Sequence, residues 1–311
     1  MEEEQRNNAF TNFKSLFTDE LWTLDTTDST RAWKNLVRFV KLVRITFHTF
    51  AENRMGFQCV SLSYFCTLAI VPLMAVIFTV TGGLGLTDKL LEVLYKSIPA
   101  NPELITMIMD KAVNIVDTAK SGVVGFIGAL TFLWAVIWLM FQVERIFNNV
   151  WGIRKIPRKM YKRFSFYLIA ILLIPFIVLV FGIGIVYYTN LTNLIGLDLG
   201  DVKHLPEFLG WIATYVVSVF TFSMMYKWIP AAKIRYINAL KAALVSGLVF
   251  VLFQYIYLET QVFVSRLNDV YGVLAAVPLF LIWLNFSWQI IIYGAELTYS
   301  YENIDTYQLS D

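Results

Sequence analysis

Six long apolar stretches alternate with shorter polar ones along the chain, covering residues 57–82, 122–143, 164–188, 208–229, 239–262 and 273–297. Each holds about 20 residues or more, enough to cross a hydrocarbon core of roughly 30 Å at about 1.5 Å per helical residue. Lipid offers the backbone no hydrogen-bond partners, so a run of this kind satisfies its own N–H and C=O groups as a helix. The pattern predicts an all-α, polytopic membrane protein with six transmembrane helices.

The polar intervals carry patterns of their own. Over residues 31–53, Trp33, Leu36, Val37, Val40, Ile45 and Phe47 interleave with Arg31, Lys34, Arg38, Lys41 and Arg44. A basic and aromatic helix beside a membrane is expected to lie in the cytoplasmic interface. In 83–121, Thr87 is placed to cap a helix over 88–98. Asn101-Pro102-Glu103 then opens a second, with Leu104, Ile108, Ala112, Ile115 and Val116 at helical spacing. These two external amphipathic helices serve either as a lid or as packing. The expected organisation is a polar tail over 1–30, a membrane domain over 31–301 and a second tail over 302–311. Pro175 and Pro278 fall in the third and sixth spans, the corresponding helices of two inverted halves, but no convincing internal repeat accompanies them.

Composition sharpens the class. Hydrophobic residues make up 58% and charged residues 15%, against about 25% charged in soluble domains. The first 30 residues are acid-rich and lack a leader pattern, so the first span is expected to act as an uncleaved insertion signal. Cys59 and Cys66 stand about 10 Å apart along one helix, too far for a bridge, and read as small core side chains.

Charge sets the orientation. Of the 25 Lys and Arg, 19 fall on the side holding both termini and 6 on the other. The positive-inside rule puts the termini in the cytoplasm. Arg145, Arg154, Lys155, Arg158, Lys159, Lys162 and Arg163 crowd one cytoplasmic loop, which suits anionic lipid rather than nucleic acid.

Polar residues at membrane depth are the candidate chemistry, because desolvating them costs several kcal/mol unless they are paired. In the sixth span Asn285, Gln289 and Glu296 lie within about 40° on one face, bordered by Tyr293. In the fifth, Gln254 and Gln261 share a face beside Tyr257. Two readings stay open: the walls of a water-filled pathway, or interhelical hydrogen bonding that glues the bundle. Glu144 and Arg145, ending the second span, are candidates for a cytoplasmic gate or simply mark the boundary. Gly122, Gly125, Gly128 and Ala129 would let another helix approach closely. His48 and His204 lie on opposite sides of the membrane, and no thiol pair, metalloprotease motif or nucleotide loop occurs. The expectation is therefore no metal, no cofactor and no enzymatic activity.

Several segments resemble the YihY/BrkB membrane-protein family, once labelled ribonuclease BN. They are Leu62-Ser63-Tyr64-Phe65 with Ile70-Val71-Pro72-Leu73, and Asn148-Asn149-Val150-Trp151-Gly152. Tyr226-Lys227-Trp228-Ile229-Pro230 and Tyr271-Gly272-Val273-Leu274-Ala275-Ala276 follow, then Trp283-Leu284 and Gly294-Ala295-Glu296-Leu297. Leu240-Lys241-Ala242 departs from the family's Pro-Gly-Ala entry to the fifth span. The resemblance implies a six-helix inner-membrane protein expected to act as a transporter. The ribonuclease label finds no metal site or acid/base pair here. The leading expectation is translocation of a small-molecule or lipid-like substrate. Asn285, Gln289, Glu296 and Tyr293 would face Gln254 and Gln261 across the pathway, with membrane lipids and no nucleic acid as further partners. The alternative is a non-transporting scaffold or assembly factor.

Overall fold

The computed structural model of the chain describes residues 30–83, 106, 110, 123–155, 205–267 and 272–307. Among these, the ordered elements are helices: α1 (Arg31–Glu52), α2 (Met55–Gly83), α3 (Val123–Val150), α4 (Leu205–Trp228), α5 (Tyr236–Leu267) and α6 (Gly272–Asn303). Within α5 and α6, Tyr236–Thr260 and Pro278–Asn303 are long and apolar enough to cross a membrane. The expected third span, 164–188, and the external helices over 83–121 lie outside the described residues, although Thr106 and Asp110 are helical.

α6 is the central helix. It packs against α5 on one side, α2 on another and α1 at its C-terminal end, while α4 pairs with α5 and α3 with α2. Among the described side chains, the buried core gathers at one end of the bundle. Phe50, Met55, Cys59 and Leu62 meet Val143, Ile146 and Phe147 there, together with Phe222, Tyr226, Ala239, Ala242, Ala243, Ile292 and Ala295. In chain order these are the end of α1, the start of α2, the ends of α3 and α4, the start of α5 and the end of α6. That end is the one the charge count assigns to the cytoplasm.

Outside the core the usual polarity is reversed. On α2, Phe57 (79% exposed), Val60, Tyr64 and Leu68 line one outward face at helical spacing. On α4, Ile212, Val216 and Phe220 do the same. A soluble helix would put polar residues there; outward apolar stripes suit lipid.

α1 departs in part from the interfacial expectation. One stripe along its length, Leu36, Phe39, Val43 and Phe47, is exposed, as are Arg31, Lys34 and Arg38 on another side. Its second half is built into the protein. Leu42 and Ile45 pack with Ile304, and the Thr46 hydroxyl lies 2.9 Å from that of Ser300. The alternation of basic and aromatic residues could not reveal this, because Thr46 and Thr49 are short polar residues that fit a packed seam as well as a wet face. Arg54 then breaks the helix with a φ of 50°, and α2 begins one residue later.

A close helix contact surrounds Gly294. Tyr226 of α4 and Ser246 of α5 are 2.8 Å apart and buried. The Ser246 hydroxyl reaches the Ala242 carbonyl at 3.0 Å, so Tyr226 supplies the proton to Ser246. This pair rests on the bare Cα of Gly294, where a Cβ would come within 2.0 Å of the Tyr226 hydroxyl and 2.7 Å of Ser246 Oγ. In an open helix Gly→Ala is worth about 1 kcal/mol in favour of Ala, but here the clash decides the sign. Overpacking of this kind costs about 1–3 kcal/mol. Gly294→Ala is therefore expected to lower the melting temperature in detergent, and Tyr226→Phe in the same chain to recover part of the loss.

Candidate functional site

The polar face of α6 is assembled one turn at a time. Gln289 Nε2 donates to Asn285 Oδ1 at 2.7 Å, so two of the candidate pathway residues bond first to each other. One turn on, the Tyr293 ring stacks on Phe50 of α1, with centroids 3.8 Å apart and planes within 7°. Phe47 flanks the same ring at 5.4 Å. Glu296 is fully buried. Its Oε1 accepts from Asn53 Nδ2 at 3.5 Å, longer than an ordinary charge-assisted bond, and its Oε2 has no hydrogen-bond partner. Ser300 donates to the Glu296 backbone carbonyl at 2.9 Å, closing the turn below it.

This face is turned toward α1 and α2. The expectation that Gln254 faces it is corrected. Trp283 Nε1 donates to Gln254 Oε1 at 2.8 Å, and Trp283 lies about 160° around the helix from Asn285 at 100° per residue. α5 and α6 instead meet through an aromatic layer, Phe253 on Phe286 and Tyr257 on Trp283. In that apolar seam the indole N–H needs an acceptor, and Gln254 supplies it. Polarity alone marked Gln254 as facing a neighbour without saying which side of that neighbour it meets. Gln261 lies in α5, but its side chain is outside the described residues.

The candidate gate residues part company. Glu144 is buried whereas Arg145 is exposed on α3. Lys227 donates to the Ile234 carbonyl, closing the α4–α5 loop. Nearby, Asn148 is fully buried and uses both ends of its amide. Nδ2 donates to the Glu144 carbonyl at 2.7 Å, and Oδ1 accepts from the Ala231 N–H at 2.8 Å, immediately after Pro230. Gly152 ends α3 at a φ of 64°. The Ile153 and Gly152 N–H groups donate to the Asn148 and Asn149 carbonyls, the paired bonds of a Schellman stop. Trp151 then meets Tyr299 edge-on at 6.2 Å. Pro72 lies in α2 and Gly272 opens α6, in stretches whose side chains are not described, and Tyr271 lies outside the described residues.

Sequence reasoning missed the α1 side of the site: Thr46, Thr49 and Asn53, which share the buried seam with Glu296 and Ser300. Their 3–4–7 spacing was the available signal. At the membrane-exit end, His48 Nδ1 lies 3.0 Å from the Tyr307 hydroxyl and 3.5 Å from Glu52 Oε2. Burial first, then the carboxylates of Glu52 and Glu296, raise the Tyr307 hydroxyl above its ordinary value. Tyr307 and Glu52 thus meet at the same ring nitrogen of His48.

Outward apolar stripes around a buried polar face define an α-helical membrane protein. The chain belongs to the Virulence factor BrkB family, whose profile matches residues 46–311, as the motif resemblance had implied. Similar proteins include a "UPF0761 membrane protein" of Coxiella burnetii (strain Dugway 5J108-111), 26% identical over 84% of this chain and 94% of its own length. Another, from Chlorobium chlorochromatii (strain CaD3), is 25% identical over 86% of this chain and 61% of its own length. A third, from Halorhodospira halophila (strain DSM 244 / SL1), is 28% identical over 76% and 52%. The chain thus spans less than two thirds of the Chlorobium and Halorhodospira relatives. No solved structure matches.

Two of the family's motif positions make separable predictions. Asn148→Ala strands the Ala231 N–H and should cost about 1–3 kcal/mol. At Gly152 a Cβ has nothing within 4 Å, so only backbone strain of about 1–2 kcal/mol opposes a side chain. Thermal melts should therefore rank Gly152→Val well below Gly152→Asn, which tolerates the left-handed region.

Proposed function

We propose that this chain translocates a small-molecule or lipid-like substrate across a bacterial inner membrane. On this reading it has six spans, both termini in the cytoplasm and α6 as its working helix. The observation that carries the reading is Glu296: a fully buried carboxyl with one oxygen unpartnered, on a helix long and apolar enough to cross a membrane. Burying an incompletely paired carboxyl costs several kcal/mol, and packing gains nothing from it. The path runs along Asn285, Gln289 and Tyr293 to Glu296, with α1 and α2 as the facing wall. Gln254 is a strut between α5 and α6, outside the path. Glu144 stands at the cytoplasmic mouth.

The scaffold alternative draws on the satisfied pairs. Gln254 with Trp283 and Thr46 with Ser300 join different helices and are each sufficient as glue at about 0.6 kcal/mol apiece, while Asn285 with Gln289 is a bond within α6. It leaves Glu296 without a purpose.

Water access separates the two. In a chain with Cys59 and Cys66 replaced, single cysteines at 285 and 289 should react with a membrane-impermeant maleimide, while one at 254 should not. Absence of labelling at both 285 and 289 in folded protein would remove the pathway.

A further inference from the structure

We propose that the Glu296 carboxyl is an exchangeable binding site for a monovalent cation, a proton or a sodium ion. The Thr49–Asn53 turn of α1 covers it, and it is reached from the cytoplasmic end. The inference deepens the translocation reading by naming what couples to it.

Asn53 of α1 offers the carboxyl one amide N–H at 3.5 Å. The Thr49 hydroxyl lies beside it but spends its proton on the Ile45 carbonyl at 2.8 Å, leaving its lone pairs toward the site. The charged and titratable groups acting on Glu296 are Glu52 of α1, Tyr299 of its own helix and Tyr307 beyond that helix. Glu52 is a second carboxyl and the tyrosines are neutral. His48 is engaged by Tyr307, and Arg54, one residue past Asn53, is exposed. Among the described residues no basic side chain is paired with Glu296. What remains is a carboxyl oxygen with no donor, flanked by the Thr49 hydroxyl oxygen and the Asn53 amide N–H. That set suits a hard monovalent cation or a proton, and offers nothing to a soft metal.

The cover is built to move. Asn53 ends α1, and its backbone carbonyl is held by Gln58 Nε2 at 2.9 Å. The next residue, Arg54, sits at a φ of 50°, a conformation a non-glycine side chain resists. Relaxing that one residue withdraws the Asn53 amide, which together with the Thr49 hydroxyl is what α1 sets against the carboxyl.

The test is infrared difference spectroscopy on the full chain reconstituted in lipid vesicles, titrated with acid and, separately, with sodium against choline at fixed pH. The wild-type chain should show a protonated-carboxyl carbonyl band that comes and goes with pH. The band should be lost in Glu296→Gln and kept in Glu259→Gln, an exposed carboxyl on α5. A sodium site is indicated if sodium, but not choline, removes the band; indifference to sodium assigns a proton. A titrating band that survives Glu296→Gln overturns the proposal, as does the absence of any response to pH or sodium. Should Glu296→Gln fail to fold, Asn53→Ala keeps the carboxyl and must shift the midpoint of the band; an unmoved midpoint also overturns it. A Glu296 band with cysteines at 285 and 289 unlabelled would leave the cation site standing and remove translocation. Labelled cysteines without the band would do the reverse.

Discussion

The hydrogen bond from Tyr226 to Ser246, seated on the bare Cα of Gly294, fixes how α6 is rotated in the bundle. Helices in lipid gain little from hydrophobic contact with one another, so close backbone approach and a few polar bonds decide their arrangement. With Gly294 pressed against α4 and α5, Glu296 lies about 200° around the helix at 100° per residue. Its side chain must then enter the seam with α1 and α2. The placement of the polar face follows from a glycine on the opposite side.

From that rotation the division of labour on α6 follows. One face is finished chemistry: Trp283 bonded to Gln254, aromatic rings interleaved, Tyr226 and Ser246 saturated. The other face is unfinished. Gln289 donates to Asn285 and Ser300 answers the backbone, while among the described residues the Glu296 carboxyl keeps an oxygen, and the Trp288 indole its N–H, without a hydrogen-bond partner. Unmet polar valence in an apolar medium is expensive, so it marks where something other than the described protein atoms belongs. Around it, Asn148 and the Gly152 stop of α3 hold the loop at Ala231 in place. The motif residues thus act mainly as fasteners around the site.

Much of this was legible in the residues. The apolar stretches 57–82, 239–262 and 273–297 fall inside α2, α5 and α6, because a run that must satisfy its own backbone leaves little choice of structure. α3 runs on past the second stretch to Val150, where Ile146, Phe147 and Val150 extend a buried face beyond Glu144 and Arg145. The stripe of Asn285, Gln289 and Glu296 was visible from helical spacing. What spacing could not supply was the neighbour. A helix wheel says which residues share a side, not which helix that side meets. Gln254 was therefore assigned to the wrong face, and Thr49 and Asn53 were passed over. α1 was half understood for the same reason: its basic residues announced a membrane surface, while its threonines gave no sign of a seam with α6.

The central claim is that α1 is a movable cover over the Glu296 carboxyl. The most direct measurement uses cysteines introduced at Thr46 and Ser300, whose hydroxyls are 2.9 Å apart across the seam, in a chain with Cys59 and Cys66 replaced. Mild oxidation should join α1 to α6. The joined protein should lose the response of its Glu296 carboxyl band to pH or sodium and regain it on reduction. A disulfide that forms while the band responds as before would show that α1 is a fixed wall and contradict the account.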